Sequence, residues 1–427
     1  MVEIRPLNAV IYNQEIVDVK KVVAPPYDVI TSEYCDKLYE KDPFNIVRLI
    51  LTKGDNRYED AKKYYKEWLE KGILVNTKNP SIFYIIQKYT TEYGRTVERK
   101  GFIAKNKIEK FETKKIFPHE YTMGAPKEDR LKLMRAVNAN LSQIFMVYSD
   151  PSMTVENLIA PKYINNREPF INIRDDNGIQ NIVYVIDDTK DIDLIKKTLE
   201  NKTLLIADGH HRYETAINYS KESTDPEAQY VMSYFTNSED DNLIIFPTHR
   251  IITADIDTKT IMDSVKKYYD ITRLPFDNFN KTIIKKQFLD DIEESNKKRI
   301  TTGLYLKNDN AFYILKLKEG MTNLIEAPDV LKKLDLTVLH ELIITKELNF
   351  TKEDQMMQNG IKYIKQDYEA FDAVDNKKAS ASFIMAYPKM KDITDVSKAG
   401  YRMPQKSTYF YPKLLSGIVI NPLYKQE

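Results

Sequence analysis

Thr203-Leu-Leu-Ile-Ala-Asp-Gly-His-His-Arg-Tyr-Glu-Thr-Ala-Ile217 decides how this chain reads. Residues 203–207 form a short apolar run of the length of a buried strand. Asp208-Gly209 is a turn dipeptide, and from His210 onward Tyr213, Ala216 and Ile217 recur at helical spacing. A strand that feeds a glycine turn and then a helix leaves the first helical N–H groups unpaired. They point out of the turn, where the helix dipole favours an anion. His210, His211 and Arg212 add donors and positive charge there, and Asp208 adds a carboxylate suited to a base or a metal. Only five histidines occur in the chain, and two of them are adjacent here. The structural alternative makes Asp208 a helix cap and pairs His210 with Glu214 one turn on. Three consecutive basic or imidazole side chains after a buried strand favour a phosphate-handling site instead.

Bulk properties narrow the classes. A chain of 427 residues is long for one core, so two or more subdomains are expected. Lys plus Arg number 64 against 63 Asp plus Glu, a net charge of +1. That balance argues against coating nucleic acid or anionic membrane through bulk charge, while leaving room for a local basic pocket. A single cysteine, Cys35, excludes an intramolecular disulfide and a Cys-based zinc site. The start Met-Val-Glu-Ile-Arg-Pro lacks the basic stretch and apolar core of a secretory signal, and no apolar run is long enough for a bilayer span. A soluble cytoplasmic protein is expected.

Strand patterns recur at 81–90, 97–106, 143–148, 180–186, 203–207 and 229–235, with helices near 32–39, 58–71 and 127–139. Asn45 to Leu51 also reads as a strand. From 253 to about 350 the chain becomes a Lys/Asp-rich alternation of helices and strands, and a helix near 355–367 and strands at 380–386 and 415–420 follow. The expected class is therefore α+β, divided into a catalytic core over 1–252, an α+β insertion over 253–350 and a C-terminal segment, 351–427, that returns a phosphate-binding loop to the core. Regular βαβα alternation and a Gly-x-Gly-x-x-Gly fingerprint are both missing, which argues against a Rossmann domain.

Three further segments carry candidate chemistry. Phe117-Pro-His-Glu-Tyr-Thr-Met-Gly-Ala-Pro-Lys-Glu-Asp-Arg130 offers His119 and Glu120 as acid/base groups and Lys127 and Arg130 as phosphate ligands. Tyr401-Arg-Met-Pro-Gln-Lys-Ser-Thr-Tyr-Phe-Tyr-Pro-Lys413 combines Arg402, Lys406 and Lys413 with the hydroxyls of Ser407 and Thr408. Its Lys-Ser-Thr resembles the end of a P-loop, but the upstream glycines are missing. Pro25-Pro-Tyr-Asp28 is a rigid loop that holds Asp28 in place. Adjacent histidines cannot share one helical face and no His-Glu-x-x-His occurs, so a zinc hydrolase is not expected. A Mg²⁺ ion bridged by phosphate oxygens and one or two carboxylates, Asp208 among them, suits the residue types better.

Taken in order, Val23-Ala-Pro-Pro-Tyr-Asp-Val-Ile30, His119-Glu-Tyr-Thr122, Asp208-Gly-His-His-Arg-Tyr-Glu-Thr-Ala216 and Met403-Pro-Gln-Lys-Ser-Thr-Tyr-Phe-Tyr-Pro-Lys413 resemble the family catalogued as domain of unknown function one-zero-one-five. The Asp-Gly-His-His-Arg core is also similar to the phosphate-binding motif of ParB/sulfiredoxin-like proteins, which include the free serine kinases. That second resemblance covers the motif and its neighbourhood. It implies a ParB/sulfiredoxin-like mixed core with an additional α+β subdomain. It also implies phosphorylation of free L-serine to O-phosphoserine, with pyrophosphate, ADP or ATP as donor, in cysteine or serine metabolism. Asp208 carries over as the acidic residue, and His210, His211 and Arg212 as phosphate ligands. Residue chemistry adds Glu120 as reserve base and Arg130, Lys406, Ser407 and Thr408 on the phosphates. It also adds Asp28, His119 and Arg402 on the substrate side. A ParB-like nucleic-acid-binding or nuclease protein and a small-molecule phosphatase are the alternatives, the first disfavoured by net charge and the absence of a basic stripe. Oligomeric state is not legible.

Overall fold

The computed structural model describes residues 1–91, 94–122, 124–404 and 406–425. Met123 of the 117–130 segment and Gln405 of the 401–413 segment lie outside them. The class is α+β, as the patterning requires, and the chain divides into two compact units. The first comprises Met1–Ile244 with Phe410–Glu427, the second Ile245–Tyr409.

A nine-stranded mixed sheet organises the first unit. Its strands run in the order Ile116–Pro118, Leu204–Asp208, Ile144–Tyr148, Tyr230–Asn237, Thr96–Lys107, Ile82–Thr90, Gln180–Ile186 and Ile171–Arg174, and Ile4–Arg5 pairs with the end of Thr96–Lys107. Two pairings are parallel, Leu204–Asp208 with Ile116–Pro118 and Ile144–Tyr148 with Tyr230–Asn237. The central strands are buried on both faces, which explains their near-continuous apolar runs. One face packs Tyr84, Phe102, Met146 and Ile206 against the helices Thr189–Glu200 and His210–Glu222. A second core gathers the N-terminal helices around Trp68, joined by Leu133 and Val137 of the helix Gly124–Val137.

Residues 45–51 are not a strand. Val47–Ile50 is a helical turn, because Asn45 is fully buried and its side chain works as a local tie. Its Nδ2 donates to the carbonyls of Lys21 and Val23 at 2.7 and 3.2 Å, and its Oδ1 accepts from Val47 N–H at 2.9 Å. Tertiary hydrogen bonding overrides the β propensity of this run.

An antiparallel six-stranded sheet forms the second unit, ordered Tyr269–Pro275, Ala311–Leu317, Thr301–Leu306, Ala381–Ile384, His249–Ile252, Ile361–Ile364. Chain from both sides of the expected 253–350 segment thus belongs to one sheet. The expected helix at 355–367 is a helix Lys352–Met357, a strand Ile361–Ile364 and a helix Asp367–Asp375, the turn between the first two made by Gly360 at φ 71°. Helix Lys281–Asn296 presses Phe288 and Ile292 onto Gly303, where any Cβ would lie 2.4 Å from the Phe288 ring. Near 415–420 only isolated bridges form, Ala24 with Ser416 and Val10 with Ile420. Among the described residues no helix is long and apolar enough to cross a membrane.

Candidate functional site

Strand Leu204–Asp208 ends where the sequence turns polar, and Gly209 takes φ 88°, a left-handed conformation open to glycine at little cost. The helix His210–Glu222 starts at once, and it is fixed by Tyr213, fully buried beneath its first turn. The Tyr213 hydroxyl accepts from Glu109 N–H and donates to Glu109 C=O, each at 2.9 Å. A Cβ on residue 209 would stand 3.0 Å from the Arg212 guanidinium, so glycine also makes room for Arg212 to fold back over the turn.

Arg212 folds back onto Asp208. Its Nη2 donates to Asp208 Oδ2 at 2.8 Å, and its Nη1 donates to the Gln143 carbonyl. Lys413 Nζ pairs with the other oxygen, Asp208 Oδ1. Burial alone would raise the Asp208 carboxyl, but Lys413 and then Arg212 outweigh it and hold it well below the usual carboxylate range. A carboxylate gripped by two cations has little basicity to offer. In this geometry Asp208 is a clamp for two positive side chains.

Beside the clamp lie the histidines. His119 is fully buried at the end of strand Ile116–Pro118, and its Nδ1–H donates to the Ile206 carbonyl at 2.7 Å. Its backbone N–H donates to His210 Nε2 at 3.2 Å, which leaves the ring proton of a neutral His210 on Nδ1. That Nδ1 faces Glu120 Oε2 at 3.9 Å. The two imidazoles meet edge to face with centroids 4.6 Å apart, and Phe410 closes on His119 at 5.8 Å. Burial pushes His119 and His211 below the ordinary imidazole value. His211 is half-buried and within electrostatic reach of Glu214, Asp28, Lys127 and Glu120. Glu214 takes Thr122 Oγ1 at 2.8 Å and Lys127 Nζ at 2.7 Å, and so ties the 117–130 segment to the helix His210–Glu222.

All four singled-out segments therefore contribute to this turn, the last through Lys413. Asp28 is exposed and reaches it through the field at His211, while Tyr27 lies under Arg130 with the guanidinium 4.1 Å from its ring. Arg130 itself is committed to Asp129 and to the Ile50 carbonyl, the latter at 2.8 Å. From the fourth segment Lys413 arrives at Asp208. Arg402, Lys406, Ser407 and Thr408 belong to the second unit, where Ser407 Oγ donates to the Pro404 carbonyl, Arg402 Nη1 donates to the Tyr401 carbonyl at 3.0 Å and the Lys406 carbonyl accepts from Arg250 at 3.1 Å.

Sequence reading placed Lys413 in the right segment without giving it a partner, because 205 residues separate it from Asp208. It missed Arg99 altogether, although an arginine inside the apolar strand 97–106 was a visible anomaly. As for Mg²⁺, no group of three or more His, Cys, Asp or Glu is arranged to hold a metal among the described residues.

Comparison with known proteins gives a family and distant structural likenesses. The family model described as "Protein of unknown function (DUF1015)" matches residues 4–337. A search of curated proteins returns no match. Among solved structures, a free serine kinase in complex with AMP shares 13% identity over 70% of this chain and 86% of its own, with a TM-score of 0.35. A conserved hypothetical protein from Pyrococcus furiosus shares 13% over 70% of this chain and 90% of its own, at 0.33. SbnI with a C-terminal truncation, from Staphylococcus aureus, shares 11% over 72% and 84%, at 0.31. TM-scores of this size do not establish a common fold.

Proposed function

The chain belongs to the DUF1015 family, and we propose that it is a phosphotransferase that moves a phosphoryl group from pyrophosphate or a nucleotide to the hydroxyl of free L-serine. The observation that carries this reading is the turn at Gly209. It combines a helix N-terminus, Arg212 and Lys413 held on Asp208, and two carboxylates, Asp28 and Glu120, within electrostatic reach of His211.

Each part has a task in such a reaction. The N–H groups of the first helical turn and the Arg212 and Lys413 side chains receive the donor phosphates, with His211 and Lys127 at the edge. Asp208 keeps the two cations aimed, and its depressed pKa keeps it charged throughout. Glu120 takes the proton of the serine hydroxyl as its oxygen attacks phosphorus. The bond from phosphorus to the bridging oxygen breaks, and its electron pair leaves with the remainder of the donor. Asp28 holds the substrate ammonium. His210, whose Nδ1 faces Glu120 Oε2 at 3.9 Å, steadies Glu120. Magnesium, if bound with the donor, would supply charge neutralisation on the donor's phosphate oxygens.

The test is O-phosphoserine formation from L-serine with Mg²⁺ and, in parallel, ATP, ADP or pyrophosphate. Product with any donor supports the reading. Release of phosphate from O-phosphoserine without donor-dependent synthesis would replace it with a phosphatase.

A further inference from the structure

Sheet register gives two rows of side chains beside the Asp208 clamp, joined where Arg99 leans over Phe145 and Tyr234. Asp208 lies opposite Phe145 and Phe145 opposite Tyr234, while Arg99 lies opposite Gln87 and Gln87 opposite Asn181. Arg99 is fully buried, with its guanidinium 4.7 Å from the Phe145 ring centroid and 5.4 Å from that of Tyr234. Nη2 donates to Gln87 Oε1, and Gln87 Nε2 donates onward to Asn181 at 2.8 Å and to the Lys413 carbonyl at 3.3 Å.

The rest of the guanidinium is unanswered. Nε and Nη1 make no hydrogen bond, and no carboxylate oxygen lies within 4.0 Å among the described residues. The Tyr89 hydroxyl, buried and within electrostatic reach of Arg99, also has no partner, while the buried Tyr234 hydroxyl lies close enough to interact with Arg99 and Thr236. A buried cation normally finds a counter-charge and fills its donors. Asp208, held by Arg212 and Lys413, reaches Arg99 through its field alone. Over these rows runs the segment 410–413, with Phe410 on Phe145 at 5.6 Å, Tyr411 on Tyr89 at 5.0 Å and Lys413 reaching from Gln87 to Asp208.

We propose that Arg99 is the floor of an anion subsite beneath the 410–413 segment, which takes oxygens of a pyrophosphate group through Nε and Nη1. The Tyr89 and Tyr234 hydroxyls are further donors, and Lys413 is the cation at its mouth. The subsite opens when the 410–413 segment lifts from Phe145 and Tyr89. Naming pyrophosphate as the anion rests on the phosphoryl-transfer reading above; the unmet donors do not.

Isothermal titration of the full chain with inorganic pyrophosphate tests this, on wild type, R99M, R99K and, as a control at the turn, R212M. Wild type and R99K are expected to bind, R99K severalfold more weakly. R99M is expected to lose about tenfold to a hundredfold in affinity, the worth of hydrogen bonds to a charged group. Unliganded R99M is expected to melt no lower than wild type, because an apolar side chain replaces a buried cation without a counter-charge. Equal affinity in wild type, R99M and R99K, with loss in R212M, overturns the Arg99 subsite and leaves the phosphate site at the turn standing. Absence of pyrophosphate binding to wild type overturns both. If R99M fails to fold, R99K decides, and unchanged affinity there refutes the proposal.

Discussion

Replacing Lys413 by methionine removes one of the two cations on Asp208 while it keeps the length and apolar body of the side chain. Both partners are largely buried, with 15% and 16% of their side chains exposed, so solvent screens the pair little. Stripping a buried carboxylate of every partner costs about 3–5 kcal/mol. Asp208 is not stripped, because Arg212 still holds its other oxygen at 2.8 Å. The loss should therefore match one charge-assisted hydrogen bond, about 2 kcal/mol. Its pH dependence follows from the depressed Asp208 pKa. The clamp's stabilisation is fully present above the unfolded carboxylate pKa and is lost as pH falls through that value toward the lower folded one. Urea unfolding of wild type, Lys413→Met, Asp208→Asn and the double variant, followed by far-UV CD at pH 7 and again near pH 3, measures it. The expected result is a coupling of about 2 kcal/mol at neutral pH that shrinks in acid. Additive single effects at pH 7, or a coupling indifferent to pH, would refute the clamp.

Gly209→Ala should lower stability by about 1–2 kcal/mol, since alanine must adopt φ 88° and its Cβ meets Arg212, and thermal melting should record the loss. Glu120→Gln should reduce kcat for serine phosphorylation by about a hundredfold or more with little change in KM for the donor, as steady-state kinetics would show. In the second unit, burial pushes the Glu293 carboxyl up to about 7. The native state then binds the extra proton, so stability falls as pH rises from the unfolded value toward 7. Glu293→Gln should be neutral near pH 4 and stabilising at pH 8, by an amount on the order of 2–3 kcal/mol, in melting curves at the two values.

The parts of this architecture that the sequence announces are those whose periodicity and punctuation agree. Strand Leu204–Asp208, the Gly209 turn and the helix His210–Glu222 are local features, and each residue there says what its backbone does. The helix Arg57–Glu70 and the strands Gln180–Ile186 and Ala311–Leu317 were legible for the same reason. Residues 45–51 misled because a buried Asn45 ties the turn through bonds to Lys21 and Val23, which no local pattern contains. The strand Ile361–Ile364 was hidden by its half-exposed edge position, which mutes the apolar signal. At the site, residue types were readable and partners were not. Asp208 looked like a free acid until the fold brought Lys413 and Arg212 onto its two oxygens, and that contact shifts the base to Glu120 in the proposed chemistry.

Incubation of the full chain with L-serine, Mg²⁺ and each of ATP, ADP and pyrophosphate, with O-phosphoserine quantified by mass spectrometry, tests the central claim most directly. The account predicts product with at least one donor and its loss in Arg212→Met. No O-phosphoserine with any donor, from protein shown to be folded, would contradict it.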